Sequence, residues 1–106
     1  MIYQAHPYRP GLFPANTPDI DGVETFNGNP RHDSRNRMAA LFASRHNLHT
    51  IAGGDVHEEG DQGTVGLLVP DTALTPKAFA EWLRAPPHPR LQYQEEPRDG
   101  IRYLCG

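Results

Sequence analysis

The residues best equipped for chemistry are those of the stretch Gly53-Gly54-Asp55-Val56-His57. On an extended backbone, alternate residues point to the same face. Asp55 and His57 therefore aim a carboxylate oxygen and an imidazole nitrogen at one point. A hard oxygen and a neutral imidazole together suit a divalent cation such as zinc, manganese or iron. The pattern is short, and a turn with two solvated polar side chains has the same sequence. Upstream, His6 precedes Pro7, which pushes it out of the helical region. His6 is expected to end a strand and enter a loop, as a metal ligand or as a histidine bonded to backbone. Arg9 carries a planar fork that matches phosphate oxygens, though a surface arginine reads the same way. Glu24 reads as an outward-facing acid within a strand. His32 reads as solvated near a helix start, and His46 and His49 as neighbours of a helix C-terminus.

These residues need elements to position them. Residues 2–5 read as a strand, followed by a loop in which Pro7, Pro10, Pro14 and Pro18 forbid a regular helix. Residues 22–26 are β-branched and aromatic-rich and read as a second strand. Asn27-Gly28-Asn29-Pro30 then breaks the pattern. A helix is expected from Asp33 or Ser34 as N-cap to about His46, with Met38, Leu41 and Phe42 as its apolar stripe and Asn47 as C-cap. Residues 50–52 form the strand that enters the Asp55 motif. After a polar loop over 58–63, residues 64–69 read as a strand covered on both faces. Thr75-Pro76 opens a second helix running to about Arg84, with Phe79, Trp82 and Leu83 facing the core. Residues 91–93 and 101–104 read as short terminal strands, with Asp99-Gly100 as a turn signal.

Strands alternating with helices argue for an α/β fold with a mainly parallel sheet. In such sheets ligands bind beyond the carboxyl ends of the strands. His6 and the pair Asp55 and His57 each follow a strand at that end. The 106 residues fit a single domain, with 87–106 as a C-terminal extension. Only 37% of them are hydrophobic and the mean hydropathy is −0.66, so the core must be small. With 10 glycines and 11 prolines, much of the chain must be turns and ordered loops. A net charge of −3 without a basic run gives no nucleic-acid footprint. No apolar run is long enough to span a membrane. The single cysteine, Cys105, excludes an internal disulfide framework, which fits a reducing, cytoplasmic setting.

The ordered set of motifs resembles a known family. Ala5-His6-Pro7-Tyr8-Arg9, then Asp21-Gly22-Val23-Glu24-Thr25-Phe26-Asn27, then Asn36, then Gly53-Gly54-Asp55-Val56-His57 is similar to the C-terminal half of PHP (polymerase and histidinol phosphatase) domains. The resemblance implies a partial distorted (β/α)7, TIM-like barrel whose N-terminal part is absent. It implies a metal-dependent phosphoesterase in which metal-bound water attacks phosphorus, with no catalytic side chain assigned. His6, Asp55 and His57 would match metal ligands for manganese, zinc or iron, and Arg9 a residue near the phosphate. Glu24 and Asn27 would match supporting structure. The implied substrate is a small phosphorylated molecule, or the end of a nucleotide or nucleic acid. The family's opening His-x-His, a following histidine and a bridging glutamate have no counterpart here, so activity is expected only with those ligands supplied. The alternatives are a non-catalytic metal-binding remnant and an interaction module that self-associates or pairs with a partner completing the barrel.

Overall fold

The computed structural model describes residues 1–61, 63–86 and 89–93. Its main sheet has three parallel strands, β1 (Tyr3–Gln4), β2 (Gly22–Asn27) and β3 (His49–Gly53), in the order β1-β2-β3. β2 is central and every one of its residues is buried, as expected of a parallel strand covered on both faces. The proline-rich loop after β1 is tied to the sheet edge by Gln4. Its Nε2 donates to the Phe13 carbonyl at 2.9 Å, and its Oε1 accepts from the Ala15 amide at 2.8 Å.

Helix α1 (Asn36–Arg45) joins β2 to β3. It starts later than its sequence suggests. Ser34 Oγ is taken by Arg9, whose Nη2 donates to it at 2.8 Å, and Asp33 Oδ1 accepts from the Arg35 amide at 3.1 Å. Neither side chain caps the helix, and the N-cap is Arg35 in the left-handed region at φ 50°. At the other end Asn47 takes φ 53°, the left-handed geometry that stops a helix. The expected stripe is also rotated. Ala39 and Ala43 are the buried residues facing the sheet, while Leu41 is 60% exposed. Small side chains let α1 lie close to β2. The apolar cluster between helix and sheet is accordingly small: Val23, Ala43 and Leu48, with Ile20 and Phe42 packed against it.

A second sheet pairs β4 (Val65–Leu67) with β5 (Leu91–Tyr93) in antiparallel fashion. Tyr93 stacks on Phe26 with ring centroids 4.0 Å apart, which joins the two sheets. β4 is shorter than its apolar run and is not covered on both faces: all three of its residues are only half-buried, and Leu68, just after it, is exposed. Helix α2 (Pro76–Arg84) begins as its sequence requires: Thr75 Oγ1 accepts from the Ala78 amide at 3.1 Å, with proline at the first helical position. Leu83 is its buried residue, and Phe79 and Trp82 are only half-buried. The protein is thus a small α/β domain with a mostly parallel sheet. Among the described residues the strands close no barrel. No helix there is long and apolar enough to cross a membrane. The expected strand over 101–104 lies outside the described residues.

Gly22 marks the tightest approach between strands. A Cβ there would lie 2.5 Å from the His49 carbonyl oxygen and equally close to the Tyr3 ring. The carbonyl belongs to the ladder and cannot swing away. Gly22→Ala is expected to cost about 1–3 kcal/mol, read as a lower urea midpoint at an unchanged m-value.

Candidate functional site

The carboxyl ends of β1, β2 and β3 carry a cluster of polar side chains. Its geometry begins with an irregularity in β2. Glu24 pairs with Ile51 and Phe26 with Ala52, so Thr25 is one residue too many. In a regular strand, residues three apart face opposite sides. The bulge re-aims the strand, and Asn27 Nδ2 donates to Glu24 Oε1 at 2.6 Å. The Glu24 carboxylate also lies over Gly53, where a Cβ would come within 2.8 Å of Oε2. Glycine at position 53 makes room for a carboxyl group from the neighbouring strand.

Glu24 is therefore not the outward-facing acid its sequence suggests. It is 7% exposed. Burial raises its pKa to about 7, helped by the charge of Asp55 and opposed by the bonds from Asn27 and the His6 amide and by the charge of Arg9. Asp55 shares several of these neighbours with the opposite result. Burial raises its pKa too, but hydrogen bonds from Arg9, Asn27 and His57 and the charge of Arg9 outweigh that and bring it to about 2. Asn27 holds the two acids together. Its Nδ2 also donates to Asp55 Oδ2 at 3.1 Å, so one amide group serves two carboxyl groups.

His57 Nε2 lies 2.8 Å from Asp55 Oδ1, a direct contact made with Asp55 at φ 50° and not on the extended backbone expected. An ionised carboxylate only accepts, so the hydrogen in this contact is on Nε2. His57 is 55% exposed and its ring lies 5.6 Å from that of His32. Arg9 reaches the site through a turn in which its amide bonds the His6 carbonyl at 3.2 Å. Its Nη2 bonds both Ser34 Oγ and Asp55 Oδ2.

His6 follows β1 as expected, and its backbone amide faces Glu24. Its Nδ1 is buried without a hydrogen-bond partner, a costly state for a polar nitrogen. His6 at φ 27° and Asp55 at φ 50° both sit in the left-handed region, so His6 is not extended as the following Pro7 suggests. Non-glycine residues held there often mark functional sites. The donor types fit a divalent ion, and the orphaned His6 nitrogen fits a ligand role. Asp55 and His57 form a pair, but among the described residues no three His, Cys, Asp or Glu side chains converge on one point.

Two further asparagines support the site: Asn36, which belongs to the ordered motif set without an assigned role, and Asn29, whose role is not evident from the sequence. Asn36 Oδ1 accepts from the Asn27 amide at 2.9 Å, and Asn29 Nδ2 donates to the Asp55 carbonyl at 2.9 Å. Asn29 belongs to a stretch that reads as a plain chain breaker. The only available signal is the alternation of Asn27 and Asn29, which brings their side chains to the same loop. A groove of about 450 Å³ between Leu68, Trp82 and Pro86 contains none of these residues.

The raised pKa of Glu24 makes stability depend on pH. The folded chain keeps a proton that the unfolded chain releases between its ordinary value of 4.5 and about 7. This contribution is complete below about pH 4.5 and is lost as pH rises through about 7. Asp55 behaves oppositely: its contribution is present above 3.8 and is lost as pH falls through about 2. Glu24→Gln should remove the first effect alone. Its unfolding free energy relative to wild type is expected to rise between pH 4.5 and 7 by on the order of 2–3 kcal/mol. Parallel urea titrations of the two proteins check this, and a constant difference would refute it.

No protein-family model matches the chain, and no curated protein or solved structure matches it either.

Proposed function

We propose that the chain carries the closing half of a PHP-type phosphoesterase site, which hydrolyses a phosphate ester with a divalent ion held by Asp55, His57 and His6. The observation that carries this reading is an ionised Asp55 in contact with His57, at the carboxyl end of a parallel strand and beside Arg9. The orphaned His6 nitrogen on the next-but-one strand end supports it. So does the ordered run of motifs from His6-Pro7 to Asp55-Val56-His57. On this reading the open sheet β1-β2-β3 is an arc of a larger distorted barrel.

Asp55 stays anionic at any pH well above about 2, and an ion at its Oδ1 would take the place of the His57 contact. His57 is open to solvent and offers an imidazole next to it. A divalent cation held by this pair would supply positive charge and lower the pKa of water. Arg9, which bonds Asp55, is the residue assigned to stabilise negative charge on the phosphate. Glu24 and Asn27 act underneath. While Glu24 is protonated it adds no second negative charge beneath Asp55, and Asn27 keeps Asp55 Oδ2 in place. The substrate class is a small phosphorylated molecule, or the phosphorylated end of a nucleotide or nucleic acid.

Calorimetric titration with Mn²⁺ and Zn²⁺ tests the metal assignment. Wild type is expected to bind, and a variant with Asp55→Ala and His57→Ala to lose at least about tenfold in affinity. Equal binding by the two would end the proposal. Metal-stimulated hydrolysis of an aryl phosphate, absent from the same variant, is the expected catalytic signature.

A second reading, self-association or pairing with another chain, is favoured by the β1 edge. Ile2 is 60%, Leu12 43% and Phe13 83% exposed around it, and exposed apolar edges invite pairing. Sedimentation equilibrium should then show concentration-dependent association that weakens in Phe13→Ser; a monomer at all concentrations would exclude it.

A further inference from the structure

The loop that carries His57 has almost no apolar packing to hold it. Every residue from Val56 to Gly60 is exposed, with Val56 at 57%. Gly60 takes φ 98°, a freedom that leaves the loop backbone soft. Something polar must fix the position of His57, and Asp61 is the group that does so. It is 3% exposed and accepts from four donors. The amides of His57 and Glu58 donate to its Oδ2 at 3.0 and 3.1 Å. Arg31 Nη1 donates to its Oδ1 at 2.7 Å, and Arg31 Nη2 to its Oδ2.

Arg31 is fixed in turn. Its amide donates to Asn29 Oδ1 at 2.9 Å, and the Asn29 amide donates to Asn27 Oδ1 at 3.0 Å. Asn27, Asn29 and Arg31 therefore form a ladder in which each asparagine side chain accepts from the backbone two residues on. The outward ends of the ladder grip the metal-motif loop at three depths. Asn27 holds the Asp55 carboxylate, Asn29 the Asp55 carbonyl, and Arg31 the carboxylate of Asp61. Arg31 Nη1 adds a bond to Glu58 Oε1 at 2.8 Å. The two-pronged fork of arginine matches both carboxylate oxygens at once, which a lysine cannot do.

We propose that Arg31 and Asp61 are positioning residues that clamp the His57 loop and hold the imidazole against Asp55. The clamp's effect on a metal ion rests on the function proposed above; its effect on His57 does not. Neither residue touches the Asp55 and His57 side-chain donors, so each acts through the backbone of His57.

The test compares the full chain with Asp61→Asn, Arg31→Ala and Arg31→Lys, each also combined with His57→Ala. In metal-free protein, Asp61→Asn and Arg31→Ala should speed hydrogen exchange of the His57 and Glu58 amides, relative to amides of β2. The imidazole nitrogen resonances of His57 should shift as its contact with Asp55 loosens. With Zn²⁺ as probe, the same variants should lose about 10–100-fold in affinity, and Arg31→Lys should fall in between. In the His57→Ala background, Asp61→Asn should cause no further loss, because a positioning residue has nothing left to position. Equal losses in both backgrounds would mark a merely structural role and overturn the clamp. Unchanged amide exchange and imidazole signals in Asp61→Asn would overturn it as well. A wild type that fails to bind Zn²⁺ would instead overturn the metal function, with the clamp judged on exchange and resonances alone. If Arg31→Ala does not fold, Arg31→Lys carries the comparison.

Discussion

One amide group organises this protein. The side chain of Asn27 donates to Glu24 and to Asp55 from the same nitrogen, and its carbonyl and backbone are both satisfied as well. Two acids brought this close repel when both are charged. The site resolves the repulsion by splitting their titrations, to about 7 for Glu24 and about 2 for Asp55. Burial acts on both. The difference is that Asp55 has Arg9 and His57 at its oxygens, while Glu24 is shut in beneath them.

Bringing the acids together requires two features of the backbone. The extra residue Thr25 turns Asn27 to the side on which Glu24 lies, and Gly53 leaves space for the Glu24 carboxylate. Around this point the interior is polar. Glu24, Thr25, Asn27, Asn29, Ser34, Asn36 and Asp61 are all buried. The buried apolar residues are few and mostly small, with Val23, Ala43 and Leu48 as the cluster beside the sheet. A domain built this way depends on a connected hydrogen-bond network as much as on apolar burial, and such a network is stable only while its members stay paired. The site and the stability of the sheet are therefore the same structure.

The network also explains why sequence signals for local structure were partly overridden. Ser34 and Asp33 are good helix caps in isolation, but Ser34 binds Arg9 and Asp33 turns to the Arg35 amide. Helix α1 starts at Asn36, whose side chain is committed to the Asn27 backbone. The helix turns its alanines to the sheet, so that Leu41, a core residue by spacing, is exposed. For Ser34 a tertiary hydrogen bond outweighed a capping preference worth about 1 kcal/mol; Asp33 was diverted by a local bond two residues on, and Leu41 by the close helix–sheet approach.

The sequence by itself determined the alternation of strands and helices, the Thr75-Pro76 start of α2, and the strand-end placement of His6, Asp55 and His57. These follow from proline, glycine and hydrophobic periodicity, which act within a few residues. Only the tertiary structure decided that Glu24 is buried with its pKa raised to about 7, that Arg9 bonds Asp55, and that Asn29, Arg31 and Asp61 support the loop. Those facts depend on a bulge in β2 and on pairings between segments more than twenty residues apart. A register shift of one residue reverses the face of every side chain beyond it, and local composition does not report where such a shift occurs. The Asp55 motif is legible because both of its groups lie on one short segment; the network that sets its charge and position is assembled from three strand ends.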